Sequence, residues 1–250
     1  MSTKQQREAE AREVHRAKVQ ADKARRQQAP LLRRAAPTRE ENPVLLILRQ
    51  GTVTEVEYFE HFELATADIK AVGQAYDPEK LVQYALELRQ EAERNKQPYQ
   101  QVWCVFDKDD TEPGPFHAAI QRARDNGVEV AYSNQAFEFW FLLHFTDHQG
   151  NNLSRIACGK QVQKLITTAD PRVSYNPGKG KHVSRQLFDL LEADDPAARP
   201  GHLSRRAVAV RRARAIASRW AEEGTEPAYQ ESTTQVYQLV EVLQQHFLAR

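Results

Sequence analysis

Trp103-Cys104-Val105-Phe106-Asp107-Lys108-Asp109-Asp110 runs four apolar residues straight into three carboxylates within four positions. The apolar part reads as a buried strand, and acids cost little where a strand leaves the core at its carboxyl end. Packing three of them together is harder, because like charges a few ångströms apart repel and raise one another's pKa. A hard cation such as Mg²⁺, which takes oxygen ligands, would relieve that repulsion. The plainer reading is an acidic turn, since Asp favours turns.

Working outward, the apolar runs alternate with helical patterns. Val44-Leu45-Leu46-Ile47-Leu48 is continuously apolar and reads as a strand buried on both faces. A helix is predicted from Thr52 to Phe62 and a short strand at Ile69-Lys70-Ala71-Val72. Asp77-Pro78 then opens a helix that reaches Asn95, with Asp at the N-cap and Pro at the first helical position. Leu81, Ala85, Leu88 and Ala92 form its apolar stripe. Gln101 to Phe106 is the third strand. A helix from Phe116 to Asn126 follows and ends at Gly127. Val128-Glu129-Val130-Ala131-Tyr132 is the fourth strand. This βαβαβαβ order predicts an α/β fold: a mostly parallel four-stranded sheet with helices on both faces, spanning about 43–150.

The second half, about 151–250, carries no comparable strand signal and reads as a helical C-terminal part. Ala136 to Phe145 is apolar nearly all round and should be a buried helix, preceding helices at 152–168, 183–192, 203–222 and 233–248. The segment 170–181, rich in Pro, Gly and Lys, reads as a surface loop. Residues 1–42 stand apart. Within 1–41 there are eleven Lys/Arg against six Asp/Glu and few large apolar residues. This basic N-terminal arm reads as a solvated helix, either a disordered or fraying arm or one that contacts a partner protein or nucleic acid, and 37–42 is its linker.

The net charge of +1 removes any whole-chain case for nucleic-acid binding, so only local patches could carry one. Two cysteines, Cys104 and Cys158, make neither a disulfide framework nor a zinc pattern, and Cys104 reads as a core thiol. With no apolar run near the length of a membrane span and no signal peptide, the expected location is cytoplasmic, without membrane association.

Ligands of open α/β sheets bind beyond the carboxyl ends of the strands. That edge collects Gln50, Gly51, Thr52, Thr54 and Glu55 after the first strand. It collects Asp107, Asp109 and Asp110 after the third, then Ser133, Asn134 and Glu138 after the fourth. Asp107, Asp109 and Asp110 are the candidate metal ligands. Thr52 or Thr54 could instead simply cap the following helix, with Glu55 complementing its dipole. Glu138 sits among Phe137, Phe139, Trp140 and Phe141, so its carboxylate must find a partner. His144 reads as a core histidine. Lys179 and Lys181 could meet phosphate or be solvated loop cations. Arg211 and Arg212, on a strongly basic helix, could contact nucleic acid or form a solvated face. No P-loop, nucleophile elbow or zinc-protease helix is present, which disfavours a small-molecule enzyme.

Four segments carry a resemblance to the RloB-like family, bacterial proteins related to the Toprim (topoisomerase–primase) fold. They are Leu45–Glu55 with Tyr58-Phe59, Val102–Asp110, Ala131–Phe145, and Ser232-Thr233-Thr234 leading into the last helix. The similarity covers about 43–248. It implies a Toprim-like core, Mg²⁺ or Mn²⁺ as cofactor, DNA or RNA as substrate, and an ATPase encoded nearby in phage-defence (abortive-infection) loci. Toprim sites use a Glu after the first strand and an Asp-x-Asp after a later one, which match Gln50 and the pair Asp107 and Asp109. The family usually reads Cys-Glu-Gly where this chain has Arg49-Gln50-Gly51. Glutamine carries no charge and cannot act as a base. Glu55 is close enough in sequence to substitute.

Two functions follow. One is a metal-dependent nuclease using Gln50, Glu55, Asp107, Asp109 and Glu138. The other is a catalytically inactive module that binds nucleic acid or the ATPase. Homo-oligomerisation is compatible with either.

Overall fold

The computed structural model describes residues 45–64, 67–71, 76–148, 152–194 and 203–248, all within the unit Asn42–Arg250. The basic arm and its linker lie outside the described residues.

Five strands form one sheet in the order β2-β1-β3-β4-β5. They are β1 (Leu45–Arg49), β2 (Ala67–Ala71), β3 (Gln101–Asp107), β4 (Glu129–Asn134) and β5 (Thr233–Thr234). The first four are parallel, and β5 runs antiparallel to β4. The expected four-stranded sheet is therefore corrected to five. The extra strand comes from the half of the chain that carried no strand signal. Two threonines are too short to show a period, and β5 forms only because β4 offers Ser133 and Asn134 as partners.

All five β1 residues are buried, the apolar Leu45–Leu48 as a strand covered on both faces demands, and Arg49 with them. Alternation sends Leu46 and Leu48 to one face, with Cys104 and Phe106 of β3. There they meet α2 (Pro78–Arg94) and α3 (Pro113–Asp125) through Leu81, Ala85, Phe116 and Ala119. Leu45 and Ile47 face the other way, onto a larger core built with Tyr58, Phe59, Trp140, Val162, Leu187, Ala209 and Leu243. Those residues belong to α1 (Thr54–Glu60), α4 (Glu138–Phe145), α5 (Arg155–Ala169), α6 (Arg185–Glu192), α7 (Arg205–Glu222) and α8 (Val236–Leu248). The C-terminal helices thus share one core with the sheet.

Serine caps set the starts of three of these helices. Ser154, Ser184 and Ser204 each accept a hydrogen bond from the backbone N–H three residues on, at 3.2–3.3 Å. Each helix therefore begins two or three residues later than its apolar pattern indicated. Asp77 caps α2 in the same way, accepting from Lys80 N at 2.9 Å. The caps expected for α1 are not used: Val53 stands at the N-cap position with no side-chain bond. Thr54 donates its hydroxyl to the Lys181 carbonyl at 3.0 Å instead. Among the described residues no helix is long and apolar enough to cross a membrane.

Candidate functional site

Register brings the functional residues together. Arg49 pairs with Val105, and Asp107 with Ser133, so β1, β3 and β4 end at one edge of the sheet. Gln50 N donates to Val105 O at 3.0 Å, which holds the β1 exit against β3. Beyond that edge lies a cleft of about 490 Å³, lined by Gln50, Gly51, Thr54, Glu55, Asp107, Asp109, Glu138, Arg155 and Lys181 among others. All five candidate catalytic residues, Gln50, Glu55, Asp107, Asp109 and Glu138, are in it, together with Gly51, Thr52 and Thr54 of the same edge.

Glu55 and Asp107 are buried, and neither is paired with a cation among the described residues. Burial pushes the Glu55 carboxyl up, and the Glu138 charge adds to this, against the pull of Lys181 and Arg49. Asp107 is held well above the usual carboxylate range, first by burial and then by the charges of Glu55, Asp109 and Glu138. Glu55 reaches this place because residue 51 is glycine. The carboxylate folds back over Gly51, into the space that a Cβ there would take. The side-chain carbonyl oxygen of Gln50, Oε1, is buried with no donor.

The other two carboxylates are engaged. Glu138, nearly fully buried, accepts the Lys181 ammonium at 2.6 Å and the Tyr175 hydroxyl at 3.1 Å. Asp109 forms an ion pair with Arg155, the first residue of α5. The partner that Glu138 needed is thus a lysine from the segment read as a surface loop. That segment is a wall of the cleft. Glu57 of α1 accepts from Val183 N at 2.6 Å and meets His182 Nδ1 at 2.7 Å, while His61 donates to Val183 O at 2.7 Å. Pro177 packs so closely on Gly159 of α5 that a Cβ there would lie 2.7 Å away.

Several expected residues stand elsewhere. Asp110 is exposed on the turn and does not line the cleft. Ser133 meets Thr234 Oγ1 at 2.9 Å and Asn134 donates to Ala228 O at 3.3 Å, so both hold the β5 region in place. Arg49 lies buried on the α1 side, its Nη2 3.9 Å from Glu60, and burial lowers its pKa to about 10. Lys179 is exposed. Arg212 donates to Leu143 O at 2.7 Å, whereas Arg211 is exposed. His144 is a core histidine, donating from Nδ1 to Trp140 O at 2.9 Å and pushed down to about 3 by burial. Burial pushes the Cys104 thiol up to about 12.

Arg155 and Tyr175 were not anticipated. Arg155 sits 46 residues from Asp109, and Tyr175 37 residues from Glu138, so no local spacing marks either one.

Among the described residues no three His, Cys, Asp or Glu side chains stand together as a ready-made metal cage. The free donors nevertheless suit a hard divalent cation: two carboxylates without counter-ions and a carbonyl oxygen without a hydrogen bond.

A family model described as RloB-like protein matches residues 45–243. The chain belongs to the RloB-like family. The match takes in every element from β1 to most of α8, and all the cleft residues named above. No curated protein and no solved structure matches this RloB-like chain.

Proposed function

We propose that this RloB-like protein is a Mg²⁺- or Mn²⁺-dependent nuclease with a Toprim-like core, acting with an ATPase partner in bacterial phage defence. The observation that carries the reading is the placement of Glu55. Where Toprim sites have a glutamate after the first strand, this chain has Gln50, and the Glu55 carboxylate folds back over Gly51 into the same cleft as Asp107. Glu55 restores the missing negative charge from the first turn of α1, and Gln50 keeps a carbonyl oxygen free for coordination. Asp107, Glu55 and Gln50 would hold the cation, with Asp109 and Glu138 beside them. Bound there, a divalent cation stabilises the attacking and leaving oxygens of phosphodiester cleavage. The chain's own part is to gather the oxygen donors at one rigid sheet edge and to wall the cleft with residues 175–183.

A second reading, a non-catalytic module that binds nucleic acid or the ATPase, draws on a specific observation. Asp109 and Glu138 already hold protein cations, and Gln50 cannot serve as a base. A cleavage assay on labelled DNA and RNA with Mg²⁺ or Mn²⁺, with and without the ATPase, separates the two. The nuclease reading expects cleavage that Asp107→Ala abolishes, a loss of at least about a hundredfold. A native chain inert even with the ATPase, alongside an active Gln50→Glu variant, would overturn the nuclease reading in favour of the non-catalytic one.

A further inference from the structure

Four carboxylates and two cations line the cleft: Glu55, Asp107, Asp109 and Glu138 against Arg155 and Lys181. With all of them ionised the cleft is left with an excess of two negative charges, which is the charge of one divalent cation. The two protein cations are not spread over the four acids. Each is committed to one carboxylate, Arg155 to Asp109 and Lys181 to Glu138, and Glu55 and Asp107 are left without an ion pair among the described residues.

We propose that Arg155 and Lys181 are exchangeable counter-ions: they hold Asp109 and Glu138 until a divalent cation binds, then turn to the phosphate of the incoming nucleic acid. The inference rests on the cleft being a metal site and names the groups that take the substrate's phosphodiester. It also makes substrate binding conditional on the metal.

The geometry supports exchange at both pairs. Arg155 and Asp109 keep 43 % and 34 % of their side-chain surface exposed, so water screens the pair and weakens its hold. Lys181 is 29 % exposed on a four-carbon stem, so its ammonium can swing without backbone movement. Its carbonyl stays anchored by Thr54. Glu138, 3 % exposed, keeps the Tyr175 hydroxyl as a donor when the ammonium leaves. The guanidinium and the ammonium both suit phosphate oxygens, the first as a planar fork and the second as a point charge.

Two titrations on the full-length chain test this. Calorimetry with MnCl₂ compares the native chain, Lys181→Met and Asp107→Asn. Anisotropy of a short labelled single-stranded DNA, in Ca²⁺ or in EDTA, compares the native chain with Lys181→Met. Removing a competing cation should tighten Mn²⁺ binding about tenfold in Lys181→Met. The native chain should bind the oligonucleotide more tightly in Ca²⁺ than in EDTA, and Lys181→Met should lose that gain. If Lys181→Met binds Mn²⁺ no more tightly than the native chain, or keeps the gain, the exchange is overturned. When that happens while Asp107→Asn abolishes Mn²⁺ binding, the metal site itself stands. Absence of Mn²⁺ binding in both the native chain and Lys181→Met overturns both. Should Lys181→Met not fold, Arg155→Met at the more exposed pair gives the same two readings.

Discussion

Asp107 concentrates the physical chemistry of the cleft in one side chain. Its carboxyl is buried, unpaired and surrounded by other acids, so it titrates well above the ordinary carboxylate range in the folded state. The folded state therefore binds an extra proton between that ordinary range and the raised value, and Asp107 destabilises the fold progressively as pH rises across the window. Asp107→Asn removes the charge at constant shape. At neutral pH in EDTA it should stabilise the protein, with the difference vanishing as pH falls into the ordinary carboxylate range. Thermal melts of both proteins across that range check this, and a difference that is constant with pH would contradict it. Glu55 acts in the same direction, raised by burial and by Glu138. What was legible at this scale was the crowding itself, because three Asp in four positions after an apolar run is a local pattern. The roles within the crowd were not. Asp110 is exposed outside the cleft while Glu55 folds in over Gly51, which spacing alone does not reveal.

Among the elements, the wall at 175–183 departs furthest from expectation. Pro, Gly and Lys composition argues for a surface loop, and much of its backbone is indeed exposed. Its side chains and carbonyls nonetheless tie it to α1 through Thr54, Glu57 and His61, to α4 through Glu138, and to α5 through Gly159. These contacts span more than a hundred residues of sequence on the α1 side, so nothing local could have announced them. Gly159→Ala should expose the dependence. Its methyl group would meet the Pro177 ring in a helix that otherwise welcomes alanine. Overpacking of this kind costs about 1–3 kcal/mol, measurable by urea denaturation, and it should speed proteolysis within 176–182. A variant at least as stable as the native chain would show that the wall is not packed against α5. The helix starts teach a related lesson. Apolar periodicity marks α5, α6 and α7, whereas the serine caps Ser154, Ser184 and Ser204 fix their first turns.

For the whole molecule, the sheet order follows from a few strong signals. β1 is apolar from Leu45 to Leu48 and buried on both faces, which places it inside the sheet, and the helices between the first four strands force parallel crossovers. The missed strand, β5, is two residues long and exists through Ser133, Asn134 and their partners from the far end of the chain. That closure puts the C-terminal helices onto the same core as β1, so the cleft is floored by the sheet and walled by the later chain. The account therefore stands on one claim: the oxygen donors at this edge hold a divalent cation. Anomalous diffraction from Mn²⁺-soaked crystals locates such a cation directly. The expected result is a peak bounded by Asp107, Glu55 and the Gln50 carbonyl. A fully soaked crystal with no peak there, or with its peak at the exposed Asp110 alone, would contradict it.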